Sequence, residues 1–392
     1  MIGLAILELN KKDENSIVNG LSLLKKSYEL CKTNPATLNY LANYFFGKKD
    51  YTKAKALASS AYQNSELDDV KAESAYILGK VCHMENRLDD AFHYYYQSTQ
   101  LKRDFLLPLF GLGQMHIKKN EFDEAIKCFE TILEKEPENY ECLKVLGSLL
   151  SRKSKHLSKA IDCFKKVTSS YPEDIEAWLE YATILEQSEP EEALRAYKEA
   201  IRQLSDNNNM TIPLEVLNNI AVLQLKCGHF CEAIESFQGA LKECEAASNP
   251  DDSYFKNSLQ TIKFNLARVY EEQNNYEAAE QLHRDILKNN PKYIDSYLRI
   301  GIIFIKKGLY NEATDLFKDA IGVDEQCKDA WGLLAQSQME TKAITSCRKT
   351  LERILTKNDK HDLFALLSLG NIYYQIARHE VDNPKLVFLS LN

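Results

Sequence analysis

The chain repeats itself at intervals of about 34 residues, and this period constrains its fold more than any motif. Three stretches lie over one another without gaps: 121–140 (EFDEAIKCFETILEKEPENY), 275–294 (NYEAAEQLHRDILKNNPKYI) and 309–328 (LYNEATDLFKDAIGVDEQCK). Each has an aromatic residue, an alanine three later, and then bulky apolar residues at helical spacing. Upstream of each lies a second apolar segment with a small residue in its middle: LFGLGQMHI, KFNLARVYE and LRIGIIFIK. The pattern continues along the chain, with units starting near 1, 35, 72, 106, 140, 175, 214, 260, 294, 328 and 363. Each unit is a pair of amphipathic helices, A and B, that cannot bury its apolar face alone and so stacks on its neighbours.

Numbered from each unit's start, slot 8 holds Gly or Ala in ten of eleven units, Glu8 being the exception, and slot 20 is small in all ten full units. Slot 7 is bulky throughout, from Leu7 and Leu41 to Leu334 and Leu369. Small side chains at 8 and 20 let helices A and B approach closely, and bulky ones fill the groove to the next unit. Pro137, Pro172 and Pro291 stand where a proline ends helix B. A helix pair of this period is the tetratricopeptide repeat. The expected fold is therefore all-α: a right-handed superhelical solenoid over 1–378, with about ten full repeats, a final half repeat and no strands, followed by a non-repeat tail at 379–392. Two longer connections interrupt the period: 204–213 reads as a polar, Asn-rich turn, and 243–257 as an extension of helix B followed by a loop, both beside the packed core and either tolerated linker length or partner contacts.

Composition agrees with a packed helical chain: 44% of residues are hydrophobic and 27% charged, with only 14 glycines and 9 prolines. The net charge is −8, so there is no global attraction to nucleic acid or anionic lipid, and no apolar run is long enough to span a bilayer. The ten cysteines include no C-x-x-C pair, and most sit in helical apolar patterns as small hydrophobes, which points to a reducing compartment.

Catalytic and cofactor motifs are missing. There is no G-x-S-x-G, H-E-x-x-H, Walker loop or zinc-type cysteine pairing. The expectation is no enzyme, no cofactor and no metal. Gly111-Leu112-Gly113 imitates a phosphate loop but follows a helical pattern, and slot 8 accounts for Gly113. Cys227, His229 and Cys231 cluster in one turn without the convergence a metal needs. The cations Arg152, Lys153, Lys155 and Lys159 lack the interleaved aromatics of a single-strand binder and read as a solvated turn. In HYYYQ (93–97), Tyr95 is the core residue.

Function is sought instead on the concave side of the solenoid, which helix A slots 2, 5, 9 and 12 line. In units two to four these slots hold Asn39, Asn43, Phe46, Tyr76, Lys80, His83, Leu107, Phe110, Gln114 and Ile117. Phe46, Tyr76, Leu107, Phe110 and Ile117 are too apolar for a solvated wall and mark a binding site for an extended or helical peptide, with Lys80, His83 and Gln114 among them. Its occupant is either a partner protein or another segment of the same protein. A chaperone-type carboxylate clamp does not fit. Ile77, Leu107 and Gly111 interrupt it in units two to four, and Val222 and Asp295 do so in units seven to nine despite Asn265 and Arg299.

Several strings go beyond the generic repeat: GLAILELN (3–10), LANYFFGKKDY (41–51), AFHYYYQSTQ (91–100), FGLGQM (110–115), EAWLEYATILEQ (176–187), NLARVYE (265–271) and YLRIGIIF (297–304). In order and spacing they resemble the Ctr9-type large tetratricopeptide subunits of the RNA polymerase II-associated factor (Paf) complex, over roughly 1–378. The resemblance implies a nuclear scaffold that binds other Paf subunits and RNA polymerase II and supports elongation and histone modification. It also implies repeats before Met1 and beyond 378, so the chain reads as an internal piece of a longer solenoid. The tail VDNPKLVFLSLN departs from the family. The alternative is a generic adaptor that recruits a client peptide in the cytoplasm.

Overall fold

The computed structural model describes residues 1–11, 14–206, 212–246, 253–358 and 360–382, and among these all regular structure is helical. Unit one is α1 (Ile2–Asn10) and α2 (Glu14–Leu30), unit two α3 (Pro35–Gly47) and α4 (Tyr51–Asn64), and unit three α5 (Asp68–Met84) and α6 (Leu88–Leu101). Next come α7 (Leu106–Lys118) with α8 (Phe122–Lys135), α9 (Tyr140–Ser151) with α10 (Leu157–Ser170), and α11 (Ile175–Leu185) with α12 (Pro190–Asp206). Then follow α13 (Leu214–Lys226) with α14 (Phe230–Ala246), α15 (Ser253–Glu272) with α16 (Tyr276–Asn289), and α17 (Ile294–Lys306) with α18 (Tyr310–Val323). The last are α19 (Lys328–Glu340), α20 (Ile344–Arg353) and α21 (Leu363–Asp382). The chain gathers into two compact bodies, one built on residues 1–189 and 198–203, the other on 190–197 and the residues from 204 on.

The helices start and stop where local chemistry directs them. Asn34, Asp50, Asn139, Asp174, Asn275 and Asp362 each accept a hydrogen bond from the backbone N–H three residues on, which caps a helix N-terminus. The turn from helix A to helix B is equally uniform. Lys49, Asn86, Asn120, Gly228, Asn274, Gly308 and Lys342 all adopt left-handed backbone, with φ between 58° and 79°. After each, the next N–H reaches back to a carbonyl five residues earlier, as Asp50 does to Phe45 and Leu309 to Phe304, closing helix A with a Schellman-type bond.

In the units of Gly79, Gly113, Gly147 and Gly301, the slot-8 glycine faces an aromatic ring of its own helix B. A methyl group on Gly113 would lie 2.6 Å from Phe129, one on Gly147 2.8 Å from Phe164, and one on Gly301 2.4 Å from Phe317. The space that slot 8 leaves is thus taken by a ring rather than by the small slot-20 residue opposite. Slot 20 instead lets the helix A backbone approach: a methyl on Gly20 would stand 3.0 Å from the Ala5 carbonyl oxygen. Gly111 has the same cause across a unit boundary, since its missing methyl would meet Tyr95 of the preceding unit at 2.8 Å. Tyr95 serves two glycines, Gly79 and Gly111. At Gly370 in α21 there is nothing within 4 Å.

The second long connection is shorter than the sequence suggests. Residues 253–257, read as part of a loop, open α15, and only 247–252 of that connection lie outside the described residues. Phe255, Leu259, Ile262 and Leu266 continue one helical stripe, and all four join the apolar cluster around Phe237. Of the first connection, 207–211 lie outside the described residues, as do 383–392 of the tail, while α21 carries the tail's first residues as helix to Asp382. Between α9 and α10 the basic turn of unit five forms a single 3₁₀ turn, Ser154–His156.

Candidate partner-binding groove

Helices α3, α5 and α7 carry the eight groove residues read from the sequence. Lys80 of α5 lies at their centre. Its ammonium is 4.6 Å from the Phe46 ring centroid and 4.8 Å from that of Tyr76, so aromatic faces from two helices flank the cation. Its hydrogen-bond partner is the Asn43 carboxamide oxygen at 2.9 Å, and no carboxylate pairs with it among the described residues. An ammonium has three donors, so the site holds unspent donor capacity. Burial pulls the Lys80 pKa down to about 8. The amine is still mostly charged at neutral pH, at a desolvation cost that no anion among the described residues offsets.

The aromatic wall is anchored from behind. Tyr76 meets Phe105 edge-on at 5.3 Å and Tyr95 at 6.0 Å, and burial raises its phenol pKa. Phe110 packs edge-on against the fully buried Phe129 at 5.4 Å. His83 meets the Tyr95 ring at 6.5 Å, and burial, with Lys118 nearby, lowers its pKa. The structure therefore brings Phe46, Tyr76 and Lys80 into one cluster and places His83 on the shared Tyr95 ring. Leu107 is 55% exposed. Gln114 and Ile117 are half-buried, and among the described residues no hydrogen bond or ring contact ties either to the Lys80 cluster.

Asn39 is not on the groove wall. It is 1% exposed, donates to the Val70 carbonyl at 3.1 Å and accepts from the Ser74 hydroxyl at 2.8 Å. It is a polar tie between units two and three. Slot numbering missed this because α5 starts at Asp68, one turn earlier than the repeat boundary, and so brings Val70 to α3. Sequence reasoning also missed Phe105, the ring behind Tyr76, because it stands in the turn before α7.

The other sequence features resolve locally. Lys153 pairs with Asp123, Lys159 lies 3.7 Å from Glu130, and Arg152 stacks over Phe122 at 5.4 Å, so three cations of the basic turn are engaged within the chain. Tyr96 of the tyrosine run stacks parallel to Phe92 at 6.5 Å, and Tyr95 is core. Among the described residues, which include Cys227, His229 and Cys231, no group of three His, Cys, Asp or Glu side chains could hold a metal ion. No helix among them is long and apolar enough to cross a membrane.

A buried polar network in the second body centres on Glu271. Glu271, 2% exposed, accepts from His283 Nε2 at 3.1 Å and from Arg299, whose Nε lies 3.1 Å away, while His283 Nδ1 lies 3.3 Å from the Ser296 hydroxyl. Burial alone would raise the Glu271 pKa, but the bonds from His283 and Arg299 outweigh it and hold the carboxyl below its usual range. The order carboxylate, imidazole, hydroxyl imitates a nucleophile relay. However, Ser296 has no exposed surface, and Arg299 neutralises the carboxylate. The network ties α15, α16 and α17 together, and it removes Arg299 from any clamp.

The comparisons agree with the repeats. Tetratricopeptide-repeat profiles match residues 265–288 and 304–369, and the profile of the fifth ARM-repeat domain of TT21 matches 111–211. A crystal structure of YrrB, described as a tetratricopeptide protein with an unusual peptide-binding site, aligns with 47% of the chain and 93% of its own at 19% identity, with a TM-score of 0.40. The RNA polymerase-associated protein CTR9 of Caenorhabditis elegans is 33% identical over 96% of this chain and 34% of its own length. The CTR9 homologue of Arabidopsis thaliana is 29% identical over 98% of this chain and 38% of its own. The chain thus spans little more than a third of the length of these relatives. With its helical units and their spacing, this likeness identifies it as a CTR9-like tetratricopeptide-repeat protein.

Proposed function

We propose that the chain is a non-catalytic scaffold of the Paf transcription-elongation complex, and that the groove of units two to four holds a segment of another subunit. Its likeness over nearly its whole length to CTR9 proteins, one of them named as RNA polymerase-associated, supports association with RNA polymerase II; a place in the nucleus and a part in elongation and histone modification on transcribed genes rest on the Ctr9-type resemblance of its sequence strings. The observation that carries the groove reading is Lys80, a partly buried cation between two rings with donors to spare and no carboxylate partner among the described residues. A partner segment that brings an acceptor to Lys80 and apolar side chains to Phe46, Tyr76, Leu107 and Phe110 would complete the site.

Co-purification tests this. A tagged chain should recover Paf subunits and polymerase II. Tyr76 and Phe110 lean on core rings, so the cleaner substitutions are Lys80→Glu with Leu107→Asp, which leave slots 7, 8 and 20 untouched. The pair should cost roughly 2–4 kcal/mol of binding with the melting temperature kept. Retention of every partner by the folded double variant would exclude the groove. Recovery of cytosolic client proteins in place of polymerase subunits would exclude the scaffold.

A further inference from the structure

A second groove opens between units one and two, walled by α2, α3 and α4, with a volume of about 560 Å³. Such a volume lies in the range that accommodates a bound ligand, ~300–1,000 Å³. Its floor and walls are apolar: Leu21 and Tyr28 of α2, Leu41 and Phe45 of α3, and Leu57 of α4. At 100° per residue, positions 41, 44 and 45 share one face of α3, while Asn43 and Phe46 lie on the opposite face. This groove is therefore distinct from the Lys80 site and independent of the function proposed above.

The surroundings of the groove carry a charge unlike that of the whole chain. Residues 20–60 contain seven lysines and only two carboxylates, Glu29 and Asp50, a net +5 within a chain of net −8. Lys25 and Lys53 stand at the groove itself. Lys53 meets Asp50 at 2.8 Å, whereas Lys25 has no ion-pair partner among the described residues. An apolar trough with cations at its edges has one matching shape and charge. We propose that it binds an acidic amphipathic helix of another protein, with its apolar stripe against Leu21, Tyr28, Leu41, Phe45 and Leu57 and its flanking carboxylates at Lys25 and Lys53. Single-stranded nucleic acid fits less well. It needs open ring faces for base stacking. Here Lys53 sits over Phe45 at 5.3 Å, Lys48 sits over Tyr44 at 5.9 Å, and the two rings meet edge-on at 5.4 Å.

The test is fluorescence anisotropy of the full chain with labelled synthetic peptides. These carry leucines at i, i+3, i+4 and i+7, with flanking positions filled by Glu, Gln or Lys; a labelled oligouridylate is run beside them. The Glu peptide should bind, the Gln peptide roughly three- to tenfold more weakly, and the Lys peptide weakest. Lys25→Glu with Lys53→Glu should invert the Glu-over-Lys preference. Ala56→Trp, at an exposed position on the groove wall, should abolish binding without moving the circular-dichroism melt, and Lys80→Glu should leave it unchanged. The proposal is overturned if the wild-type chain ranks the three peptides equally or binds none of them at millimolar concentration. It is also overturned if the chain binds the oligouridylate alone, or if a folded Ala56→Trp chain binds as before.

Discussion

Gly113 and Gly239 are both helical glycines, yet a methyl group should act oppositely at the two. At Gly113 it would press into the buried Phe129 ring from 2.6 Å, whereas at Gly239 nothing lies within 4 Å. Gly113→Ala should destabilise by about 1–3 kcal/mol through overpacking. Gly239→Ala should stabilise by about 0.5–1 kcal/mol, because the chain loses less entropy on entering the helix. Urea midpoints of the two variants check both signs. Lys80 adds a pH dependence. Its folded pKa of about 8 lies below the ordinary 10.5, so between these values the unfolded chain holds the extra proton. Its contribution to stability therefore rises with pH across that window and is least favourable below it. Lys80→Met lacks the buried charge, so its advantage over wild type should shrink between about pH 7 and about pH 9.5. A constant gap in urea midpoint would show that burial does not weigh on this amine.

At the level of elements, the helix pairs were legible because slots 7, 8 and 20 encode contacts that every unit repeats. Features that depend on one particular pair of neighbours were not. Asn39 looks like its groove neighbours in sequence and is buried only because α5 begins early. Gly111 has no small-residue slot in the repeat and is explained only by Tyr95 across the unit boundary. Of the eight groove residues read from the sequence, Phe46, Tyr76 and Lys80 meet in one cluster, and the setting of Lys80 was not legible, since it joins rings from α3 and α5. The left-handed turn residue is another element-level rule, and it makes a prediction. Asn or Gly fills it in five of the seven turns, but Lys49 and Lys342 occupy it at φ of 61° and 58°. Left-handed backbone costs a side chain with a Cβ roughly 1–2 kcal/mol. Lys49→Gly and Lys342→Asn should each stabilise the chain by about 0.5–1 kcal/mol, read as a higher urea midpoint with unchanged helicity. No gain at either site would mean that those lysines make compensating contacts.

Within each of the two bodies, a helix meets mainly the helix next to it, so stability is a sum of neighbour interfaces. α21 is thinly packed: Gly370 faces open space, and Leu363, Leu367 and Tyr374 are exposed. Its amides should exchange faster than those of α9, which buries Cys142, Leu143, Leu146, Leu149 and Leu150. Hydrogen exchange resolved by segment checks this, and equal protection would refute it. The pairing of slot 8 with a ring of the same unit also bears on how such chains lengthen. A lock whose two halves travel together survives duplication or loss of its unit, because each copy brings its own key. Tyr95 breaks that independence by closing on Gly111 as well as Gly79. Units three and four can therefore be copied or deleted as a pair, but a cut between them leaves Gly111 without the ring that fills its space.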